Sequence, residues 1–486
     1  MKPEERFSGF FVLMLTIIFV PLIGAFILPM VGRISVFLRN LLSLGFILIS
    51  FAFSAKMIPL CLRGETLQFG LQLPLGFNFI LYADSLAVFM AVVSSLISSI
   101  IMVYSFSYIA HYENQNEYYC MVVLFLGAMM GIIFSANLIF LYVFWEITAI
   151  ASWRLIGFFR EKSDVLRADK AFLVTVFGAL VMLIGFIAIY QQTGSFDLAV
   201  IKEAQKAAPI NNLVIALILV GIFSKSATLP FHTWLPDAGV APSPVTALLH
   251  AAILVKIGLY VFARLFIVNI SLGEFMSGIV PWVAGISALV SAGAALVETD
   301  LKRLIAYSTI SQIGFIFLGL SINNAIGIVA GLFYILTHGL AKAGLFLCAG
   351  IVEQNTGSKD ITKLGGLIKT MPFTAMAFLF CAFSVMGIPP FGGFFAKYLV
   401  FSGAISGGKL AVASVFLLGA FMTIIYLFRV FYLVFLGEAA PQAKEGSWSM
   451  VVSVVLLAAL SLLSGILVSY PLNYLERFVV RILGVT

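Results

Sequence analysis

Fourteen stretches of this chain run for about twenty residues with too few polar side chains to be stable in water. They cover 7–30, 41–62, 83–109, 117–135, 137–159, 169–191, 211–235, 243–268, 276–297, 303–322, 325–352, 370–404, 411–437 and 450–474. A backbone in hydrocarbon must satisfy its own N–H and C=O groups, which leaves only helices and closed barrels. Windows of this length are expected to be helices. With 62% hydrophobic and 10% charged residues and a mean hydropathy of +1.12, the chain reads as an all-α polytopic membrane protein of about fourteen transmembrane helices. The first apolar run, inside "MKPEERFSGFFVLMLTIIFVPLIGAFILPMVG", lacks a small-residue cleavage site and is expected to stay as the first helix. Cys61, Cys120, Cys348 and Cys381 are far apart, in or beside apolar windows, and make neither a disulfide framework nor a metal cluster.

The net charge of +7 does not imply nucleic-acid binding, because the basic residues are scattered through short loops. They report orientation instead. Loops after odd-numbered windows hold thirteen Lys and Arg, among them Arg39, Arg160 and Lys302, against six after even-numbered ones, including Arg264. The positive-inside rule then places the odd loops in the cytoplasm and both termini outside.

Two segments match each other. "FSKSATLPF" at 223–231 and "FSVMGIPPF" at 383–391 share Phe-Ser, five residues and Pro-Phe. Proline removes a backbone donor and clashes with the preceding turn, so each segment breaks its helix. Paired interruptions in two halves of a hydrophobic chain point to inverted repeats with a site at each break. A weaker echo, "LYVFARLF" at 259–266 and "IYLFRVFY" at 425–432, closes the two units. The expected division is 1–110 (helices 1–3), 111–268 (first repeat, helices 4–8), 269–437 (second repeat, helices 9–13) and 438–486 (helix 14).

Ionisable residues deep in a membrane span cost a few kcal/mol each and are candidate functional groups. Glu146 lies nine residues past Asn137 in its window, about 13 Å along a helix axis. Lys225 precedes Pro230 by five residues and has no acid on its own helix, so a carboxylate from another helix that approaches or recedes turns it into a proton-binding switch. His250 and Lys256 share the next window, and His338 and Lys342 are four apart on one helical face. Lys397 follows the second break by seven residues. One carboxylate, four lysines and two histidines, with two kinks to admit water, make the inventory of a proton path. No phosphate-binding Gly loop, metal-ligand cluster or haem motif accompanies them, and no cofactor is expected.

"FWEITAIASWRLIGF", "FSKSATLPFHTWLPDAGVAPSPVTALLHAAILVKIGLYVFARL", "LKRLIAYSTISQIGFIFLGL", "LTHGLAKAGLFLCAGIVE" and "GIPPFGGFFAKYLVF" resemble the antiporter-like subunits shared by respiratory complex I, Mrp-type sodium/proton antiporters and membrane-bound hydrogenases. The resemblance covers nearly all of 80–437. It implies two inverted five-helix repeats in a multi-pass protein of a prokaryotic cell membrane, translocating protons or exchanging a cation for protons. Implied partners are other membrane subunits, related antiporter-like ones among them, and a peripheral redox module. By position, Glu146 matches the helix 5 glutamate, Lys225 its helix 7 partner, and His250 and Lys256 the helix 8 relay. His338 and Lys342 match the helix 11 relay, and Lys397 the exit position, where some members carry glutamate. The chain stops soon after the last window without a long lateral helix, which resembles the medium-length members, including the second large Mrp protein. Arg154 departs from the pattern, and its expected place is the cytoplasmic surface beside Arg160 rather than Glu146. A self-sufficient cation/proton antiporter is the competing reading.

Overall fold

Apolar windows become helices wherever the backbone is uninterrupted. The structure, a computed structural model, describes residues 3–74, 78–438 and 443–484, with side chains from Phe11 onward; residues 1–2 and 485–486, the termini to which an outer location was assigned, lie outside the described residues. The helices run in chain order as α1 (Pro3–Ile34), α2 (Val36–Arg63), α3 (Ser85–His111), α4 (Gln115–Phe134), α5 (Leu138–Ile156), α6 (Lys162–Thr193), α7 (Leu198–Ala207), α8 (Asn212–Lys225), α9 (Ser243–Asn269), α10 (Gly273–Val297), α11 (Leu301–Ser321), α12 (Ala325–Thr356), α13 (Pro372–Met386), α14 (Gly392–Ser406), α15 (Leu410–Leu436), α16 (Trp448–Ile466) and α17 (Ser469–Leu483). Among the described residues twelve are long and apolar enough to cross a membrane, and the apolar helices α8 and α13 are shorter. These two end at the breaks written into windows 211–235 and 370–404.

Three elements were not anticipated, because a window of about twenty residues averages over shorter patterns. An antiparallel hairpin pairs β1 (Leu67–Gln72) with β2 (Asn78–Ala83). Helix α7 is amphipathic and lies in what reads as a polar connection. The last window, 450–474, ends as a spanning helix at Ile466, and the amphipathic α17 follows, where Asn473, Glu476, Arg477 and Arg481 alternate with apolar residues.

Helices α9, α11 and α12 are buried almost all round and form the centre. α12 packs against α9, α11, α13, α14 and α16. Helix ends show a second sequence echo. Thr193-Gly194-Ser195-Phe196-Asp197 follows α6, and Thr356-Gly357-Ser358-Lys359-Asp360 follows α12, each helix being 32 residues long. The glycines take left-handed φ of 71° and 69°, a conformation that costs a residue with a Cβ about 1 kcal/mol. In each corner the Thr Oγ1 accepts from the Ser N–H, at 3.4 and 3.2 Å, and the Ser Oγ accepts from the Asp N–H, at 3.0 and 3.2 Å. Each corner then bonds the start of a neighbouring helix, Leu138 N–H to the Phe196 carbonyl at 3.0 Å and Leu301 N–H to that of Lys359 at 2.8 Å.

Several charges counted above as loop residues are buried. Arg39 donates to Asn116 at 2.6 Å and Gln115 at 3.0 Å, docking α2 on α4. Arg264 forks onto Asp84 with two bonds of 2.7 Å, tying α9 to the start of α3. Without Arg39, Lys302 and Arg264 the loop tally becomes eleven against five, still biased to the same side. Removing one partner of a buried pair strands the other charge, at a cost of roughly 3–5 kcal/mol. Asp84→Ala should therefore lower the thermal unfolding midpoint of the detergent-solubilised protein clearly below wild type; an unchanged midpoint would show that the pair contributes nothing.

Candidate ion-translocation site

The repeated nonapeptide gives the same backbone twice. Ala227 and Gly387, equivalent in the match, take φ of 52° and 84°. Thr228 N–H returns to the Phe223 carbonyl at 2.9 Å and Ile388 N–H to that of Phe383 at 3.0 Å; Phe231 to Thr228 and Phe391 to Ile388 complete each turn. The carbonyls that lose their helical partners meet other groups, as a buried backbone requires. Trp234 Nε1 donates to the Ser224 carbonyl at 3.0 Å, and Lys397 Nζ to that of Met386 at 3.1 Å.

The expected lysines and histidines are all inside. Lys225, His250, Lys256, His338, Lys342 and Lys397 are between 0% and 7% exposed, which excludes snorkelling to a water interface. Lys225, the last residue of α8, donates to the Trp145 carbonyl at 3.3 Å, and its amine stands 5.3 Å over the Trp145 ring. It sits at the negative end of its own helix dipole, as Lys397 sits against the end of α13, and both positions favour a cation. Glu146 is the next residue after the accepting carbonyl. Its Oε1 is buried with no protein partner, and no ion pair joins it to Lys225 within 4.0 Å. Carboxylate and amine are thus neighbours without contact.

The second group does not pair as the sequence suggested. His338 and Lys342 share a face but diverge. His338 Nδ1 shares a hydrogen bond of 2.5 Å with Lys256 Nζ, across from α12 to α9. Lys342 turns the other way, to Ser308 Oγ at 2.5 Å and the Ile305 carbonyl at 3.2 Å on α11. His250 lies in a π-helical turn closed by Ile253 N–H to the Leu248 carbonyl at 2.9 Å. The extra residue in that turn changes the facing of everything after it. The His250 ring lies 4.5 Å from the Phe346 ring and is tilted 43° to it, and neither of its nitrogens has a protein partner; His338 Nε2 is likewise free.

One polar cluster went unread in the sequence. Ser308 shares a hydrogen bond of 2.7 Å with Tyr426, Tyr426 donates to Thr423 at 3.3 Å, Gln312 Nε2 donates to Thr423 at 3.3 Å, and Tyr334 donates to Gln312 Oε1. The signal was there: Ser308 and Gln312 are four apart, neutral polar side chains on one face of an apolar helix, but their lack of charge hid them beside the lysines. Arg154 bonds Glu117 at 2.6 Å, as Arg160 does at 2.5 Å, and so turns away from Glu146. The four cysteines are buried free thiols.

A membrane-embedded helical body with two broken helices and a row of buried amines between them is the class of chain that this fold and site define. Residues 135–425 match the family described as NADH:quinone oxidoreductase/Mrp antiporter, TM, and residues 71–119 match NADH-ubiquinone oxidoreductase (complex I), chain 5 N-terminus. The chain belongs to this family of antiporter-like membrane subunits. Among curated relatives, the A1 component of the Na(+)/H(+) antiporter of Staphylococcus epidermidis is 33% identical over 92% of this chain and 60% of its own, and the corresponding protein of Staphylococcus haemolyticus is 34% identical over the same shares of the two chains. This chain thus spans about 60% of the length of these relatives, and its likeness to the second large Mrp protein rests on the sequence resemblance alone. Among solved structures, a chain of the Mrp complex from Dietzia sp. DQ12-45-1b superposes with a TM-score of 0.88 at 22% identity, a likeness of fold. A chain of the membrane-bound sulfane sulfur reductase, an archaeal respiratory membrane complex, gives 0.88 at 25%; both alignments cover 97% of each chain.

The segment after the first break is anchored by charge. Asp237 accepts from Lys170 and Arg303, each at 2.7 Å. Burial alone raises its carboxyl pKa, but the bonds and charges of Lys170 and Arg303 outweigh that and hold it below the usual carboxylate value. A carboxylate whose folded pKa is depressed contributes stability above its unfolded pKa of about 4, and the contribution fades as pH falls through the lower folded value. Limited proteolysis of solubilised protein should therefore find the 231–242 segment protected at neutral pH and increasingly cleaved below about pH 4, with Asp237→Asn cleaved at both; equal protection of variant and wild type would refute the tether.

Proposed function

We propose that this chain translocates protons, or exchanges a cation for protons, as an antiporter-like member of a multi-subunit energy-converting membrane complex. The observation that carries the proposal is the placement of Lys225, bonded to the carbonyl next to Glu146 while one carboxylate oxygen, Oε1, has no protein partner. An amine in a poorly hydrated interior holds a proton more firmly when a carboxylate approaches and less firmly when it recedes. A small rotation of Glu146 toward Lys225 therefore loads the amine, and its withdrawal sends the proton on through Lys256, His338, Lys342 and Lys397. His250 serves the same relay. The chain brings no reaction energy of its own in this reading. A partner supplies it, either an attached redox module or the gradient of the exchanged ion.

Two five-helix units, 111–268 and 269–437, of opposite direction fit the paired breaks and the paired Thr-Gly-Ser corners, flanked by 1–110 and 438–486. The basic loops would face the cytoplasm of a prokaryotic cell and the termini the outside. A self-sufficient antiporter remains the second reading because the curated relatives are named as components of Na(+)/H(+) antiporters; the isolated chain in vesicles should then collapse an imposed pH gradient on addition of sodium. In the complex, Lys225→Ala and Glu146→Gln should each lower ion transport by roughly tenfold or more, the kinetic equivalent of about 1.4 kcal/mol, with assembly intact. Full transport by both assembled variants would remove the proposal.

A further inference from the structure

The relay through Lys256 and His338 leaves open where protons enter the seam between α9 and α12. These helices run antiparallel, and polar groups recur along the contact. At the end where the basic loops gather, Lys302 Nζ meets Glu353 Oε2 at 3.0 Å and the Ala241 carbonyl at 3.0 Å. Ser243, at the start of α9, lies 3.5 Å from the same Glu353 oxygen and accepts from Tyr108 at 3.4 Å. Two helical turns deeper, about 10 Å, comes His250, then the Lys256/His338 pair. The Ala251 carbonyl lies against Gly339, beside the Ile97 side chain, so α9 and α12 approach closely between the two histidines. Lys302 is 3% exposed and Glu353 28%, which makes Glu353 the member of this group in touch with bulk water.

Three buried ring nitrogens along the seam, both of His250 and Nε2 of His338, have no protein partner. Leaving a buried polar group unbonded is costly, and a water that finds two to four polar partners removes that cost. Lys302, Lys342 and His338 act on His250, and none of them is an acid. The acid at the exposed end of the same seam is Glu353.

We infer that Glu353 is a proton-collecting residue, feeding His250 through Ser243 and water along the α9–α12 seam; this rests on the proton-translocating reading above. In each cycle the Glu353 carboxylate takes a proton from bulk water, passes it by way of bridging water to His250, and is left as a carboxylate paired with Lys302. The His250 imidazolium gives its proton to His338, whose other nitrogen faces the Lys256 amine. Lys302 holds the Glu353 side chain at the mouth of the seam, and Ser243 positions the first water.

The test uses the complete complex reconstituted in vesicles, with transport followed against pH on the basic-loop side. Glu353→Gln should lower transport by roughly tenfold or more. Glu353→Asp should recover most of it with a displaced pH profile, which a purely structural role would not produce. Lys225→Ala runs in parallel. Loss in Lys225→Ala with full transport in Glu353→Gln would overturn this inference and leave the proposed function standing; full transport in both would overturn both. If Glu353→Gln does not assemble, Ser243→Ala decides: a loss of roughly threefold or more is expected, and a wild-type rate and profile overturn the inference.

Discussion

The four amines of the relay, Lys225, Lys256, Lys342 and Lys397, lie inside a body that lipid surrounds, and none of them touches a carboxylate. That constraint shapes the rest. An ammonium ion taken out of water loses several kcal/mol of solvation and needs either a counter-charge or a set of strong acceptors. Here the acceptors are largely backbone. Lys225 uses the carbonyl of Trp145, Lys342 that of Ile305, and Lys397 that of Met386, freed where α13 stops. Lys256 uses an imidazole instead. Neutral acceptors and helix ends can hold a charged amine without locking it, because the donor role is equally open to an uncharged one. A salt bridge in the same place would fix the proton.

The broken helices serve the same need. A broken helix adds carbonyls that have lost their helical partner, and Lys397 takes one of them at Met386, while Lys225 and Lys342 share carbonyls of the uninterrupted helices α5 and α11. Both interruptions use the same nine-residue design, with one residue at positive φ and the same return bonds. The π-helical turn at His250 is a milder device of the same kind. It rotates Lys256 into the seam opposite His338, a pairing that regular helical spacing would not produce. By contrast, the buried pair that does fork, Arg264 with Asp84, sits at the end of α9 and ties the hairpin region down. It is a fixed joint beside a row of movable protons.

Much of this was legible in the residues. The apolar windows, the two Pro-containing breaks and the amines of the relay could be read directly, because charge and proline are so costly in lipid that each occurrence carries information. The pairings could not. His338 and Lys342 share a helical face, yet tertiary packing sends one to α9 and the other to α11, which no periodicity within α12 can show. The Ser308–Tyr426–Gln312 cluster and Glu353 escaped for a different reason: hydroxyls, amides and helix-end acids are ordinary in isolation, and only their neighbours give them meaning. The hairpin, α7 and α17 fell below the length at which hydropathy speaks. The Thr-Gly-Ser corners were present in the sequence as a repeat, but each is only five residues long.

The amines belong to one hydrated polar chain in this mechanism, rather than to separate dry pockets. Cryo-electron microscopy of the assembled complex, at a resolution that shows ordered water, tests that most directly. Water should be bonded to the free nitrogens of His250 and His338 and to the Glu146 carboxylate, joining Lys225 to Lys256 and onward. Side chains packed without intervening water around each amine would contradict the mechanism.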